Sequence, residues 1–291
     1  MSDYSIASLL KWSSSQLKSA FNNPNPFLDA EILLMHAIKR DRVFLHTYPD
    51  FIVPPAQARE FTKFINRRAV QEPVAYITNK QEFWSMPFYV DNRVLVPRPA
   101  TETLVAAALE LDLPDSARIL DLGVGSGAIS IALASERKNW QIFGVDSSAD
   151  AIDVANKNRL HLLPDSNNIC FLNSNWFSAV EDFKFHAILS NPPYIDKEDS
   201  VISDNNLAFE PSSSLFSSEK GMCDLNYIIK NSFNYMFDES YLLVEHGYNQ
   251  CDVVLDVFLK YSYQNLLSLN DLEGIPRVVC GMHKFNSSLI V

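Results

Sequence analysis

Arg118-Ile119-Leu120-Asp121-Leu122-Gly123-Val124-Gly125-Ser126-Gly127-Ala128 is the stretch whose reading decides the fold. Its first residues are mostly apolar, too few for a helix, and stop at a breaker, so they read as a short buried strand. Gly123, Gly125 and Gly127 then make a tight turn, because glycine admits positive φ and lets the backbone approach a ligand. A helix begins at Ala128. In an open α/β sheet a strand, a glycine turn and a helix place a ligand at the carboxyl end of the strand.

The same rhythm continues on both sides. Trp140 to Val145 reads as a second strand ending in Asp146, and Ala149 to Leu160 as a helix. Ile169 to Leu172, Phe185 to Ser190, Tyr241 to Glu245 and residues 276–283 read as further strands. A Ser-rich loop, Pro211 to Ser218, precedes a helix from about Asp224. Strands alternating with helices predict a mainly parallel sheet covered on both faces.

Asp146 lies 19 residues past Gly127, where an acid takes the two hydroxyls of a ribose. Taken alone, the turn and its acid fit a dinucleotide oxidoreductase or a methyl-donor enzyme. Three details favour the methyl donor. The spacing is G-x-G-x-G, one residue short of the pyrophosphate-binding pattern. Asp121 offers an anion for a cationic ligand, or equally an acceptor that ties the loop down. An oxidoreductase would also leave a second motif without a task.

That motif is Asn191-Pro192-Pro193-Tyr194, directly after the strand that ends at Ser190. Two prolines have no N–H for a ladder, and Asn191 is pushed toward extended backbone by the proline after it. The turn suits capture of a planar NH2 group. The Asn191 side-chain oxygen accepts one N–H, the Pro192 carbonyl accepts the other, and Tyr194 packs on the flat face. The plainer reading is a polar loop after a strand. Trp176, after the third strand, is either a core residue or a neighbour of an adenine. Thr101, in Val96-Pro97-Arg98-Pro99-Ala100-Thr101-Glu102, reads as the cap of a helix carrying Leu104, Ala108 and Leu111.

Residues 1–72 read as a small all-α domain. Ile6, Leu9, Leu10, Leu17 and Phe21 give a helical stripe, stopped at Asn22-Asn23-Pro24-Asn25-Pro26. A second helix starts near Leu28 and ends at Lys39-Arg40, and Pro54-Pro55 opens another. Residues 73–97, rich in aromatics with partial alternation, read as a β-hairpin linker. Residues 98–291 hold the α/β part.

The chain has 291 residues, 47% of them hydrophobic, which supports a packed core. Its net charge of −11 is unevenly placed: residues 1–82 carry 10 Lys/Arg and 8 Asp/Glu (+2), the remainder 14 and 27 (−13). An acidic body is a poor footprint for a phosphate backbone. No stretch approaches the ~18 apolar residues of a membrane span, and the start lacks the basic flank and apolar run of a signal peptide. Cys170, Cys223, Cys251 and Cys280 are scattered, which predicts reduced thiols in a cytoplasmic protein. No His/Cys cluster stands at metal-ligand spacing.

With these residues together, the chain resembles the peptide-chain-release-factor glutamine N5-methyltransferases over nearly its whole length. The resemblance is carried by Asp29 to Leu34, Glu72 to Ile77, Glu82-Phe83-Trp84, Pro97-Arg98-Pro99 with Thr101-Glu102, Ile119 to Ala128, and Asn191 to Tyr194. Phe209-Glu210-Pro211, Glu245-His246-Gly247 and Arg277-Val278 add later landmarks. It implies a Rossmann-like class I S-adenosylmethionine-dependent methyltransferase sheet, with a small all-α N-terminal substrate-binding domain joined by the hairpin. It further implies that Asp121, Gly123, Val124, Gly125, Ser126, Gly127, Asp146, Trp176 and Asn191 hold S-adenosylmethionine, S-adenosylhomocysteine being the product. Asn191, Pro192, Pro193 and Tyr194 would hold the glutamine of a Gly-Gly-Gln loop in a class I release factor, with Asn191, Pro192 and Tyr194 catalytic. His246 is expected to be structural. A monomer with no direct nucleic-acid or membrane contact is the expected setting. Two departures stand out, Ala100 and Asn175, where the family commonly has Asp. The rival readings are an adenine N6 methyltransferase using the same turn on an exocyclic amine, and a non-catalytic module docking a translation factor.

Overall fold

The computed structural model describes residues 4–198 and 205–284. The chain divides into two compact units, one of residues 1–80 with 204–209 and the other of 81–203 with 210–291.

The first unit is helical: α1 (Ile6–Ala20), α2 (Pro26–Ile38), α3 (Arg42–Thr47), α4 (Pro55–Ala69) and α5 (Val74–Thr78). Local chemistry sets the ends. The Ser5 hydroxyl accepts from the Ser8 N–H, and Asp41 accepts from the Phe44 N–H at 2.8 Å, both N-caps. Pro26 and Pro55 occupy first turns, where a missing N–H costs nothing. Lys39 closes α2 in the left-handed region at φ 55°. The stripe of Leu9 and Leu17 packs with Leu33, Leu34, Phe61 and Ile65. α3 was not legible in the sequence, being a short helix with only Leu45 buried.

The second unit starts with a hairpin, β1 (Gln81–Phe83) and β2 (Met86–Phe88). Trp84 and Ser85 both take positive φ, the twist a two-residue connection requires. After α6 (Glu102–Leu109) come β3 (Arg118–Leu122), α7 (Ala128–Glu136), β4 (Gln141–Asp146), α8 (Ala149–Leu162), β5 (Ile169–Asn173) and β6 (Phe185–Ser190). There follow a broken turn α9 (Ser218–Gly221), α10 (Cys223–Ser232), β7 (Met236–Glu245), α11 (Cys251–Lys260), β8 (Gln264–Asn270) and β9 (Pro276–His283). The seven-stranded sheet has the order β5-β4-β3-β6-β7-β9-β8. Pairs from β5 to β7 are parallel, and those of β9 are antiparallel.

Alternation along the strands builds two cores. Ile119, Leu189 and Leu243 join one, with side chains of α6 and α7. Leu120, Ile188 and Leu242 join the other, with α10 and α11. Three sequence expectations need correction. The segment 73–97, read as a β-hairpin linker, opens with the helix α5 (Val74–Thr78), and its hairpin spans only 81–88. β7 begins at Met236, not Tyr241. β8 was not expected at all, because an edge strand with mostly exposed side chains lacks the apolar run that marked its neighbours. Among the described residues no helix is long and apolar enough to cross a membrane.

Candidate active site

β3 and β6 are direct neighbours, so the two turns that leave them lie side by side. Leu122 pairs with Ser190, whose hydroxyl donates to the Leu122 carbonyl at 2.8 Å. A Cβ placed on Gly123 would meet the Asn191 carbonyl at 3.8 Å. These ends, with those of β4 and β5, surround a cavity of about 260 Å³ lined by Gly123, Gly125, Asp146, Trp176, Asn191 and Pro193, among others.

The glycine turn is held rigidly. The Gly123 and Val124 N–H groups both donate to the Val145 carbonyl at 2.9 Å. The Gly125 N–H donates to Asp146 Oδ2 and the Ser148 N–H to Oδ1, each at 2.9 Å. Asn158, fully buried on α8, grips the turn from behind. Its Nδ2 donates to the carbonyls of Ser126 (2.8 Å) and Tyr89 (2.9 Å), and its Oδ1 accepts the Tyr89 N–H at 2.8 Å. Nothing lies within 4 Å of a Cβ placed on Gly125, whose φ is +52°. The turn therefore leaves an open cradle of backbone beside a carboxylate. Burial raises the pKa of Asp146, against the pull of its backbone hydrogen bonds.

Asp121 does not line the cavity. Fully buried, it accepts from the Ser130 hydroxyl at 2.7 Å and the Ser130 N–H at 3.2 Å, tying β3 to the first turn of α7. Its Oδ1 has no hydrogen-bond partner among the described residues, and burial pushes its pKa up to about 7. Of its two sequence readings, the loop tie is the one its contacts match.

In the second turn the Asn191 Nδ2 donates to Thr101 Oγ1 at 3.1 Å. Thr101 stands at the N-cap position of α6, as the sequence suggested, but its side chain makes no capping bond. It sits in a 3₁₀ turn, Pro99–Thr101, with helical φ/ψ and no side-chain bond to the helix, and its hydroxyl faces Asn191. Among the described residues the Pro192 carbonyl accepts no hydrogen bond. Tyr194 donates through its hydroxyl to Glu245 Oε1 at 3.1 Å, and burial with the Glu245 charge raises its pKa steeply. Pro192, Tyr194, Val124, Ser126 and Gly127 are not among the residues that line the cavity. His246 is buried, its Nδ1 against the Gly247 carbonyl at 2.8 Å.

Sequence reasoning missed several contributors. Arg93, Ser148 and Asp224 line the cavity. Arg93 is oriented by Asp91 at 2.7 Å, a pairing its Asp-x-Arg spacing allowed for. Asn158 and Glu245 carry no local signal, since their partners are distant in sequence.

An open glycine cradle, an adjacent acid with lone pairs left over, and a tryptophan at the rim suit a ligand with a sugar, a flat base and a cationic tail. No metal-binding cluster occurs among the described residues. A methyltransferase from Pyrococcus furiosus shares the fold, with a TM-score of 0.53 at 12% identity over 78% of this chain and 100% of that one. The sheet order and glycine turn are those of a class I methyltransferase fold. Residues 8–78 match the PrmC N-terminal domain model and residues 99–213 the methyltransferase small domain model. A release factor glutamine methyltransferase from Shewanella oneidensis is 41% identical over 97% of each chain. One from Escherichia coli is 39% identical over 92% of this chain and 95% of that one. The chain belongs to the release factor glutamine methyltransferase family.

Proposed function

We propose that this chain transfers a methyl group from S-adenosylmethionine to the side-chain amide nitrogen (N5) of the glutamine in the Gly-Gly-Gln loop of class I peptide chain release factors. The observation that carries this reading is the placement of Asn191. Its NH2 end is engaged by Thr101, and the same residue lines the cavity beside Gly123, Gly125 and Asp146. The Asn191 Oδ1 is left to accept one N–H of the substrate amide, and the Pro192 carbonyl to accept the other.

S-adenosylmethionine, when bound, supplies an electrophilic methyl carbon. The residues that would hold it are the backbone of Gly123 to Gly127, Asp146 at the ribose and Trp176 beside the base. An amide nitrogen is a poor nucleophile because its lone pair is delocalised into the carbonyl. Asn191 and Pro192 act on that difficulty by fixing both N–H bonds, which orients the lone pair and draws density onto nitrogen. Preorganisation of this kind supplies several kcal/mol. Tyr194 anchors the turn from behind.

The helical residues 1–72 dock the substrate protein in this reading, with the segment 73–97, which holds α5 and the β1–β2 hairpin, as connection and 98–291 as the catalytic part. Their charge of +2 against −13 for the remainder supports a protein substrate over direct nucleic-acid binding. A cytoplasmic monomer is the expected setting, in keeping with four free cysteines. The test is transfer of a radiolabelled methyl group to a purified release factor, beside its Gln→Ala form and duplex DNA. Label on the wild-type factor alone is expected. Label on DNA, or on the Gln→Ala factor, would overturn the reading.

A further inference from the structure

The charged residues that line the cavity are not of one sign. Among the described residues there, Asp146 and Asp224 are the acids, and Arg93 is the one with a cationic side chain. Arg93 is firmly held. Its Nε donates to Asp91 Oδ1 at 2.9 Å and its Nη2 to Oδ2 at 2.7 Å, a two-pronged grip. The Tyr89 hydroxyl donates to the same Oδ2 at 2.9 Å. The Asp91 carboxylate also accepts the Arg93 backbone N–H at 3.1 Å. The Asp91 carbonyl accepts the Val94 N–H at 3.2 Å, which closes the backbone into a tight turn.

A guanidinium has five N–H donors in a planar fork. Asp91 takes the edge made by Nε and Nη2, so the edge that includes Nη1 lies outside its grip. Asn158 fixes where this segment runs. It bonds the Tyr89 N–H and carbonyl and, through the same amide, the Ser126 carbonyl. The chain leading to Arg93 is therefore fastened to the glycine turn. With the donor's ribose at Asp146 and its base beside Trp176, the glycine turn is left for the amino-acid tail. That tail ends in the donor's one anion, its carboxylate.

We propose that Arg93 is a specificity residue for the methyl donor: its guanidinium, set in place by Asp91, pairs with the carboxylate at the end of the S-adenosylmethionine tail. The inference rests on the reading of this cavity as the donor site. The donor carries two cationic groups, a sulfonium and an ammonium, and a single carboxylate. Without Arg93, the charged side chains described along the cavity would be Asp146 and Asp224, and both repel a carboxylate. A charge drawn out of water without a partner is penalised further. Arginine suits the task because its planar fork matches a carboxylate and is more weakly hydrated than an ammonium.

The experiment measures affinity by calorimetry on the full chain for two ligands. One is S-adenosylmethionine; the other is its decarboxylated form, in which hydrogen replaces the carboxylate and all else is kept. Wild type, Arg93→Gln, Arg93→Lys and Asp146→Ala are compared, with Tm recorded for each. Wild type binds the decarboxylated ligand at least about tenfold more weakly, the scale of a hydrogen bond to a charged group. Arg93→Gln weakens S-adenosylmethionine by a similar factor and binds the decarboxylated ligand as wild type does, so the preference is lost. Arg93→Lys keeps the charge without the fork and retains part of the preference. The preference is a ratio read within each variant, so a change in folded fraction cancels from it. A preference kept whole in Arg93→Gln, or none in wild type, overturns the proposal. Asp146→Ala weakens both ligands alike when the ribose lies at Asp146. If it does so while Arg93→Gln keeps the preference, Arg93 alone is rejected and the donor site stands. Unchanged affinity for both ligands in Asp146→Ala removes the reading of the cavity itself.

Discussion

Gly221 faces the backbone of Tyr194 so closely that a Cβ built on it would lie 2.1 Å from the Tyr194 carbonyl oxygen, at a φ of +81°. The same carbonyl accepts from Gln250 Nε2 at 3.0 Å. The far end of the Asn191–Tyr194 turn is therefore closed by a residue with no side chain and by a directed hydrogen bond. Gly221→Ala sets carbon against backbone, which no side-chain rotation relieves, in a region alanine disfavours. We expect a loss of stability above about 1–3 kcal/mol, read by denaturant unfolding, and reduced turnover in whatever remains folded. An unchanged midpoint would mean that the segment around Gly221 yields freely.

Asp146→Ala removes the proposed ribose acceptor together with the acceptor of the Gly125 and Ser148 N–H groups. Each hydrogen bond to a charged group is worth roughly 1.5–3 kcal/mol, so donor affinity should fall at least about tenfold. Calorimetry on the folded variant checks this, and an unaltered affinity would contradict the assignment of Asp146 to the donor.

Asn191→Ala removes a preorganised polar contact, an effect of about 2.7–4 kcal/mol on the barrier. Asn191→Asp separates binding from turnover. The carboxylate keeps an acceptor and holds a cationic donor well, yet it cannot donate to Thr101 as the amide does, and it favours the ground state over the neutralising transition state. Donor affinity near wild type with slow single turnover is expected for Asn191→Asp, and losses in both for Asn191→Ala.

Asp121 makes stability depend on pH in a direction opposite to that of most carboxylates. Burial raises its pKa from 3.8 to about 7, so the native state binds the proton more tightly than the unfolded chain. Its contribution is greatest below about pH 4 and declines as pH rises toward about 7. Asp121→Asn cannot titrate. Its stability relative to wild type should improve between about pH 5 and pH 7.5, measured by denaturation at each pH. Parallel curves would show that the Asp121 proton is not linked to folding.

The central unit of strand, glycine turn and helix was legible in the sequence because its signals are local: an apolar run, a breaker and a spacing. The same holds for the prolines that stiffen the Asn191 turn. β8 was not legible, as an exposed edge strand buries too little to shape its sequence. Thr101 reads as a cap because a hydroxyl residue follows a stiff proline entry into the helix. Its real partner, Asn191, is brought by the sheet and not by sequence spacing. Asn158 and Glu245 are hidden for the same reason. Each is a polar residue that burial would penalise, and its compensating partners become visible only when strands and helices are in place.

The bonds from Gly125 to Asp146 and from Asn158 to Ser126 have a thermodynamic corollary for ligand capture. They form within the protein itself, so the loop's conformational entropy is lost when the chain folds and not when the ligand arrives. Little of that cost is then left for the ligand, so we expect the apparent dissociation constant to stay close to the intrinsic one. In the proposed assignment of this cradle to the donor, spent and fresh donor would meet the same shape, and discrimination between them would fall to what differs chemically at the sulfur.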